Sequence, residues 1–395
     1  MTGRRRLAIR VRRSPPVAQP SPRTGPSEPT APSRSTSDSG QPVVLATVTP
    51  GLETVCAAEF MARVSSSTLR ATGRGKVWFA VPAIDEAITS VRTADNLFLH
   101  VGEVEVRSTR RDLPDLANAV SSLPALAPIL GNRPAVRGSG FVVNVSRRGQ
   151  HTWSRFEAGA MIADAIATRF PDWPDLTGIV AGGHGAGGRG VRVAVELRVD
   201  VEDDRATVSW RLTPPWFRFR GHDRGFVRAS LLPTVAHALV LISDPRPHDR
   251  FLDPFAGSGT IVTERASLPA SSVIGLEIDR HVAVVAQANF AEGARLVGGD
   301  ARAMPLDSGS IDVIVTNLPF GRQVLDDDAI PALYAAAARE FARVLTRDLH
   351  SRVIALTTRA PELVRAMADA GFASTEVTTL GLNGQRPSVV KFVRG

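Results

Sequence analysis

Residues 250–260 read RFLDPFAGSGT, and this stretch decides the fold of the C-terminal half of the chain. Its first residues predict a short buried strand, and a helix is predicted from Thr260. Between them, Gly257 and Gly259 allow a sharp turn and let a ligand approach the main chain closely. The stretch therefore predicts a ligand-binding turn at the carboxyl end of a buried strand.

Strands alternate with helices throughout the C-terminal block. The predicted strands are 250–252, 273–276, 295–297, 311–315, 352–356 and 388–393. The predicted helices are 230–241, one from residue 260, 280–292, 330–345 and 361–370. This alternation predicts an α/β fold with a doubly wound, mostly parallel sheet, in which ligands bind outside the carboxyl ends of the strands.

The glycine turn differs from two well-known phosphate-binding turns. A P-loop needs Lys followed by Ser or Thr after its last glycine, but Thr260 and Ile261 occupy those positions. A dinucleotide-binding turn needs a third glycine three residues after Gly259, where the chain has Val262. Asp253, at the start of the turn, would repel a pyrophosphate, so it suits a ligand that carries an amino group or a cation.

Polar side chains follow the next three predicted strands. Glu277 comes directly after the second strand and can accept both hydroxyls of a ribose, whereas Asp279 is the predicted N-cap of the next helix. Asp300 follows the third strand and can accept a hydrogen bond from an adenine amino group, and Asn317 follows the fourth. The pattern indicates a nucleoside with a positively charged, non-phosphate tail, for which S-adenosylmethionine is the obvious candidate.

The turn at residues 253–260, followed by the tetrad Asn317-Leu318-Pro319-Phe320, resembles class I methyltransferases that modify exocyclic or amide nitrogens. Their tetrad is usually Asn/Asp-Pro-Pro-Phe/Tyr. Leu318 departs from this form in the way seen in THUMP-containing RNA guanine-N2 methyltransferases. Residues 50–53, 191–213 and 224–233 also look like parts of that family, so the resemblance covers about residues 43–395.

The resemblance implies an S-adenosylmethionine-dependent enzyme that methylates the N2 amine of a guanosine in tRNA. The expected cofactor-binding residues are Asp253, Phe255, Ala256, Gly257, Gly259, Thr260, Glu277, Ile278, Asp300, Ala301 and Asn317. The tetrad is expected to be catalytic. The Asn317 side chain and the Leu318 carbonyl would hold the amine protons, Pro319 would stiffen the turn, and Phe320 would stack on a base that has left its own stack.

Two α+β modules are predicted ahead of this block. A ferredoxin-like module at 43–123 is indicated by strands at 43–48, 77–81 and 101–107 and helices at 53–64 and 83–93. A second α+β module at 124–215 is indicated by a strand at 140–145, a helix at 156–169 and a hairpin of strands 191–199 and 205–213. The resemblance implies that this second module is a THUMP-like RNA-binding module. The predicted division continues with a linker at 216–229 and the methyltransferase domain at 230–395.

Composition and charge limit the partners and the cellular compartment that we expect for the chain. The 395-residue chain has a net charge of +8, and residues 1–40 hold eight arginines but two acids. Because residues 1–42 are also rich in Pro and Ser, they predict a disordered tail that either attracts a polyanion or has no role.

The single cysteine excludes an intramolecular disulfide and a thiolate zinc site, and it favours the cytoplasm. The longest apolar stretch, 231–242, is shorter than the ~20 residues of a membrane span, and we expect no membrane or metal partner and a monomer by default.

The linker region combines arginines with aromatic residues. Arg218, Arg220, Arg224 and Arg228 alternate with Trp216, Phe217, Phe219 and Phe226. This mixture suits RNA backbone contacts and base stacking, or else a linker that packs its aromatics between domains. The sequence leaves three alternatives open: the same chemistry on rRNA guanine, the same chemistry on DNA adenine, and a non-catalytic RNA-binding protein with a decayed methyltransferase fold.

Overall fold

The computed structural model of the protein describes residues 41–131, 135, 139–180, 192–221, 224–227, 230–290, 292–319, 327–382 and 384–395. These residues form two seven-stranded sheets with separate buried cores. All but the last two residues of the predicted tail at 1–42 lie outside the described part. Within the described ranges, no helix is both long enough and apolar enough to cross a bilayer.

The N-terminal sheet contains the strands of both predicted modules. Its strands are β1 (Val43–Thr47), β2 (Thr68–Gly73), β3 (Lys76–Ala80), β4 (Asn96–Glu105), β5 (Ser139–Arg148), β6 (Arg192–Glu202) and β7 (Arg205–Arg211). The helices of this half are α1 (Glu53–Arg63), α2 (Glu86–Thr89), α3 (Leu113–Ser121), α4 (Arg155–Arg169) and α5 (Thr177–Val180). Helix α4 begins as a capping box, because Glu157 N donates to Ser154 Oγ and Ser154 N donates to the Glu157 carboxylate.

The order of this sheet is β2-β3-β1-β4-β7-β6-β5, and only the β5–β6 pair is parallel. The predicted hairpin between β6 and β7 is confirmed, and Asp203 turns the chain with a positive φ of 53°. Strand β4 pairs with β7, from Phe98 opposite Arg211 to Glu105 opposite Arg205. A single sheet therefore runs across the predicted boundary at residues 123 and 124, while the domain division itself stays a prediction.

The C-terminal sheet has the predicted doubly wound α/β architecture. Its strands are β8 (Arg250–Asp253), β9 (Ser272–Glu277), β10 (Ala294–Gly298), β11 (Val313–Asn317), β12 (Arg352–Thr357), β13 (Phe372–Thr379) and β14 (Ser388–Arg394). The helices are α6 (Pro233–Ile242), α7 (Thr260–Ala266), α8 (Arg280–Asn289), α9 (Ile330–Val344) and α10 (Ala360–Asp369).

The order β10-β9-β8-β11-β12-β14-β13 places five parallel strands side by side, followed by β14, which is antiparallel to β12, and by β13, which is antiparallel to β14. The strand order reverses between β8 and β11, which is where ligands bind in open α/β sheets. Both faces of the sheet are covered. In β11, Ile314 lies in one core and Val313 and Val315 lie in the other, which explains the continuous apolar run of this strand.

Several elements differ from those predicted from the sequence. Strands β2 and β13 and helix α3 were not predicted, and the helix expected at 83–93 is only the single turn α2. The strand expected at 311–315 is shifted by two residues. This shift matters for the site, because Asn317 is thereby the last residue of β11 and not a loop residue.

The two sheets are joined at the turn that precedes α1. Gly381 N donates to the Pro50 carbonyl at 2.9 Å, and Leu52 is buried in the core of the C-terminal sheet. Gly51 has a φ of +100°, and a Cβ there would lie 2.3 Å from the Thr379 carbonyl oxygen. Glycine is therefore required at this position, and the close approach fixes the N-terminal half against the β13–β14 hairpin.

Candidate active site

The glycine turn lies between β8 and α7, as the sequence predicts. Gly257 and Gly259 have φ values of +53° and +78°, and a Cβ on Gly259 would lie 2.3 Å from Phe290 Cε1. Ala256 N donates to the Leu276 carbonyl, which ties the turn to the neighbouring strand β9. The turn therefore has a fixed path along the carboxyl edge of the sheet, where Phe255 is half-buried, Ala256 is buried and Thr260 begins α7.

Asp253 is the last residue of β8, and its side chain is only 1% exposed. Burial raises the pKa of Asp253 to about 7, and the negative charge of Glu277 adds to the rise. The Thr316 side chain and the hydrogen bond from Phe255 N, at 3.2 Å, act in the opposite direction. A buried carboxyl whose pKa stays raised despite these contacts suits a ligand that brings a positive charge to it.

Glu277 is the last residue of β9 and reaches the glycine turn. Its Oε2 accepts from Gly257 N and its Oε1 accepts from Asp279 N, both at 2.9 Å. Each carboxylate oxygen keeps a second lone pair, so both can still accept from ribose hydroxyls. The predicted N-cap role of Asp279 is confirmed, because its Oδ1 accepts from His281 N and Val282 N. Ile278, between the two acids, is exposed.

Asp300 follows β10 at the same edge, but it has a partner that the sequence did not indicate. Arg302 Nε and Nη2 reach its carboxylate at 2.7–3.0 Å, and Arg302 N donates to Oδ1 at 2.8 Å. These bonds hold the pKa of Asp300 below its usual range. Its predicted contact with adenine therefore requires the Arg302 side chain to move. Ala301, the next residue, is buried.

The tetrad begins on β11, and three of its four residues are described. The Asn317 side-chain oxygen Oδ1 is buried and has no hydrogen-bond partner in the described part of the chain. Leu318 N donates to the Leu356 carbonyl at 3.1 Å, a bond that the usual proline at this position could not make. The Pro319 carbonyl accepts from Tyr334 OH at 3.0 Å. Phe320 lies outside the described residues.

The strand pairing brings these residues to one edge. Asp253 lies opposite Gly275 on β9, Glu277 lies opposite Gly298 on β10, and β11 runs parallel to β8 on its other side. Because the strands are parallel, their carboxyl ends meet at the same edge of the sheet. The arrangement can hold a charged nucleoside against the acids and present the side-chain oxygen of Asn317 to a donor.

Two of the three described linker arginines point into the protein. Arg220 Nε donates to Glu264 Oε1 at 3.2 Å, and Arg224 Nη1 lies 3.9 Å from the same oxygen. Both guanidinium groups are largely buried, so we revise their expected role from RNA contact to an internal ion-pair network. Arg218 lies over the ring of Phe219, with 4.6 Å to the ring centroid, and keeps its predicted RNA-binding role as a prediction. Arg228 lies outside the described residues.

Sequence reasoning missed the centre of this network. His237 on α6 is fully buried, and its ring nitrogens lie 3.3 Å from Glu59 Oε1 and 3.2 Å from Glu264 Oε2. Glu59 belongs to α1 of the N-terminal half, so the network joins the two halves. The sign in the sequence was a histidine in the middle of an otherwise apolar helix. Within the described ranges, no cluster of His, Cys, Asp and Glu could hold a metal ion.

Comparison with known proteins gives consistent matches. Residues 220–388 match a family model described as the RMKL-like methyltransferase domain. The chain is 29% identical over 354 residues to a tRNA (guanine(6)-N2)-methyltransferase from Thermus thermophilus, which covers 87% of this chain and 97% of that protein. It is 24% identical over 400 residues to an enzyme of the same name from Archaeoglobus fulgidus, which covers 88% of this chain and 91% of that one.

A solved structure agrees with these relatives. The crystal structure of TrmN from Thermus thermophilus superposes with a TM-score of 0.70 at 28% identity, covering 90% of this chain and 100% of that one. The match extends over both halves of the molecule and not only over the C-terminal sheet. This chain is thus an S-adenosylmethionine-dependent methyltransferase of class I fold whose residues 220–388 match a methyltransferase domain, and it is similar over most of its length to tRNA guanine-N2 methyltransferases.

Proposed function

We propose that this protein transfers the methyl group of S-adenosylmethionine to the exocyclic N2 amine of a guanosine in tRNA. The observation that carries the proposal is the buried Oδ1 of Asn317 at the end of β11, which has no hydrogen-bond partner among the residues that the structure describes. A buried acceptor is costly unless a donor reaches it, and an exocyclic amine is such a donor. The names of the relatives support guanine as the base and tRNA as the RNA.

The residues at the strand ends fit this cofactor, which supplies a methyl group on a positively charged sulfur. The buried Asp253 carboxyl suits the amino group of its methionine part, and Glu277 has lone pairs for the ribose hydroxyls. Asp300, Ala301 and Ile278 are proposed to line the adenine. The remaining proposed contacts are the turn residues Phe255, Ala256, Gly257, Gly259 and Thr260.

The tetrad orients the target amine. An aromatic exocyclic amine is a weak nucleophile, because its lone pair is delocalised into the ring. Asn317 Oδ1 and the Leu318 carbonyl would accept its two protons and direct the lone pair toward the methyl group. Positioning then supplies most of the acceleration, and Phe320 is proposed to stack on the flipped base.

We propose that the N-terminal half docks the tRNA and that the reaction takes place in the cytoplasm. The THUMP-like module at 124–215 would bind the 3′ end of the tRNA and so set the distance to the target base. Arg218 is the described linker arginine that keeps a place for a phosphate contact. Arg220 and Arg224 face Glu264, so the local basic surface is smaller than the sequence indicates.

The test is methyl transfer by the purified full-length protein to unmodified tRNA, followed by nucleoside mass spectrometry. We expect N2-methylguanosine in tRNA, and none in ribosomal RNA or DNA offered in parallel. Methylation of rRNA or of DNA adenine instead would establish one of the alternatives. Retention of S-adenosylmethionine in equilibrium dialysis distinguishes an active enzyme from a decayed fold.

Asn317 provides the matched pair of variants. Asn317→Ala removes the acceptor, so we expect kcat to fall by roughly a hundredfold or more while the Kd for S-adenosylmethionine changes little. Asn317→Asp keeps a carboxyl oxygen at the same place and should retain measurable transfer. If Asn317→Ala abolished cofactor binding in equilibrium dialysis, the assignment of this side chain to the base would be wrong.

A further inference from the structure

Three contacts hold the Leu318–Pro319 turn. Leu318 N donates to the Leu356 carbonyl on β12, and the Leu318 side chain is buried in the core beneath α9. The third contact is the hydrogen bond from Tyr334 OH, on α9, to the Pro319 carbonyl. Asn317 Oδ1 is not used by any of these contacts, so the turn is anchored without occupying the acceptor proposed for the substrate.

Tyr334 is itself part of a chain of hydrogen bonds. Arg359 N donates to Thr357 Oγ1 at 2.9 Å, and Thr357 Oγ1 lies 2.8 Å from Tyr334 OH. Each hydroxyl has one proton. Because Tyr334 donates its proton to Pro319, Thr357 must donate to Tyr334 and accept from Arg359. The hydrogen bonds are therefore all donated in one direction, from the start of α10 to the tetrad. Successive bonds of this kind strengthen one another.

Because Tyr334 is buried, its hydroxyl must keep its hydrogen bond to the Pro319 carbonyl. The side chain is fully buried, and burial raises the pKa of its phenol to about 12, so the group stays a donor. A proline ring fixes φ, which leaves ψ as the free rotation that decides where the Pro319 carbonyl points. The bond from Tyr334 fixes that rotation, and with it the direction of the Pro319 carbonyl.

We propose that Tyr334 is a positioning residue for methyl transfer, holding the tetrad turn in the geometry that the target amine requires. Tyr334 touches neither substrate nor cofactor, and it acts through the Pro319 carbonyl while Thr357 holds its hydroxyl in place. The inference rests on the proposed function, because it assigns the tetrad to the reacting amine. An error of about 1 Å in such a group can cost roughly a hundredfold in rate.

Tyr334→Phe tests the proposal by removing one oxygen atom from a fully buried ring. We expect kcat on the RNA that the wild type methylates to fall roughly tenfold to a hundredfold, with the KM for S-adenosylmethionine within about twofold of wild type. The matched control is Ser351→Ala, which removes a buried hydroxyl bonded to Thr346 at the opposite end of β12. An equal loss of kcat in both variants, or none in Tyr334→Phe, would overturn the proposal.

Thr357 provides an independent test should Tyr334→Phe fold poorly. Thr357→Val breaks the chain one step earlier and should lower kcat by a smaller factor, whereas Thr357→Ser keeps the hydroxyl and should restore it. The double variant Tyr334→Phe/Thr357→Val should be no slower than Tyr334→Phe alone, because the chain is already broken. Equal kcat values for the Val and Ser variants and the wild type would contradict the proposal.

The hydrogen-bond chain can also be detected without a substrate. The protein contains one tyrosine, so 3-fluorotyrosine labelling gives a single ¹⁹F signal that needs no assignment. We expect that signal to shift in Thr357→Val and to stay in place in Ser351→Ala. An unchanged signal in Thr357→Val would show that Thr357 is not bonded to Tyr334, whatever the RNA substrate is. Failure of the wild type to methylate tRNA would count only against the proposed function.

Discussion

The Asp253 carboxyl shows what one residue contributes to the site. It is buried at the end of β8, with a pKa raised to about 7 by burial and by the nearby charge of Glu277. A positively charged ligand interacts better with the carboxylate than with the neutral acid. Ligand binding and loss of the Asp253 proton are therefore linked, and each favours the other.

This linkage predicts a pH-dependent cofactor affinity. Above about pH 7 the carboxylate is already formed. Below it, binding must also remove a proton, so the Kd for S-adenosylmethionine should rise by up to about tenfold per pH unit as the pH falls. Isothermal titration calorimetry from about pH 8 to about pH 6 measures the effect. Asp253→Asn should bind more weakly at pH 8 and lose this dependence, and an unchanged slope in Asp253→Asn would place the titrating group elsewhere.

The sequence predicted where candidate site residues lie when position along a strand decides that placement. Asp253, Glu277 and Asn317 each end a parallel strand, and parallel strands bring their carboxyl ends to one edge. It could not predict that Arg302 folds back on Asp300, because that ion pair depends on the local turn and on one rotamer. Nothing in the sequence marks Tyr334 as part of the site, because its proposed role requires α9 to lie under the tetrad.

At the scale of elements, helix α8 connects the linker with the cofactor turn. Its last residue, Asn289, donates from Nδ2 to the Gly225 carbonyl at 2.7 Å and to the Ser258 carbonyl at 2.8 Å. Gly225 N donates back to Asn289 Oδ1 at 2.9 Å. A single side chain therefore holds the segment that leads from the N-terminal half and the turn proposed to bind the cofactor.

Asn289→Ala removes all three of these bonds. We expect a several-fold weaker Kd for S-adenosylmethionine, because the turn at 257–259 loses a support, together with a Tm lowered by a few degrees. Equilibrium dialysis and thermal denaturation measure the two effects. Gln287→Ala, an exposed position on the same helix, is the control and should change neither. An unchanged Kd in Asn289→Ala would mean that the other contacts of the turn, such as the bond from Gly257 N to Glu277, hold it without Asn289.

The elements that the sequence failed to predict have a physical explanation. Strands β2 and β13 lie at sheet edges, and their mostly exposed, polar residues lack the apolar alternation that marks a half-buried strand. Helix α3 could have been predicted. Its buried residues Leu113, Leu116, Ala117 and Val120 follow helical spacing.

For the molecule as a whole, the sequence could not predict which distant strands and side chains pair with each other. The strands of the two predicted modules join through β4 and β7, which lie about a hundred residues apart along the chain. The network around His237 likewise gathers Glu59 and Arg92 from the N-terminal half, Arg220 from the linker and Glu264 from α7. Local patterns carry no information about such partners, so the coupling of the halves emerges only from the structure.

The same network predicts how the protein responds to acid. Burial alone would raise the pKa values of Glu59 and Glu264, but contacts with His237 and, for Glu264, the charges of Arg220 and Arg92, lower both to about 2 from 4.5. A carboxyl whose pKa is lower in the folded protein stabilises it fully above the unfolded value. That stabilisation is lost as the pH falls from about 4.5 toward about 2. The free energy of unfolding should therefore decline steeply over this range.

His237→Gln tests whether this network joins the two halves. The change leaves two buried carboxylates with one fewer partner, so we expect a loss of about 3–5 kcal/mol in the free energy of unfolding at neutral pH, measured by urea denaturation. Because the carboxylates then take up protons more readily, acid unfolding followed by circular dichroism should begin at a higher pH than in the wild type. His350→Gln, at an exposed position, is the control and should behave as wild type. Coincident acid-unfolding curves for His237→Gln and the wild type would show that the other partners hold the two glutamates, and that His237 is not needed to keep the N-terminal half fixed on the C-terminal sheet.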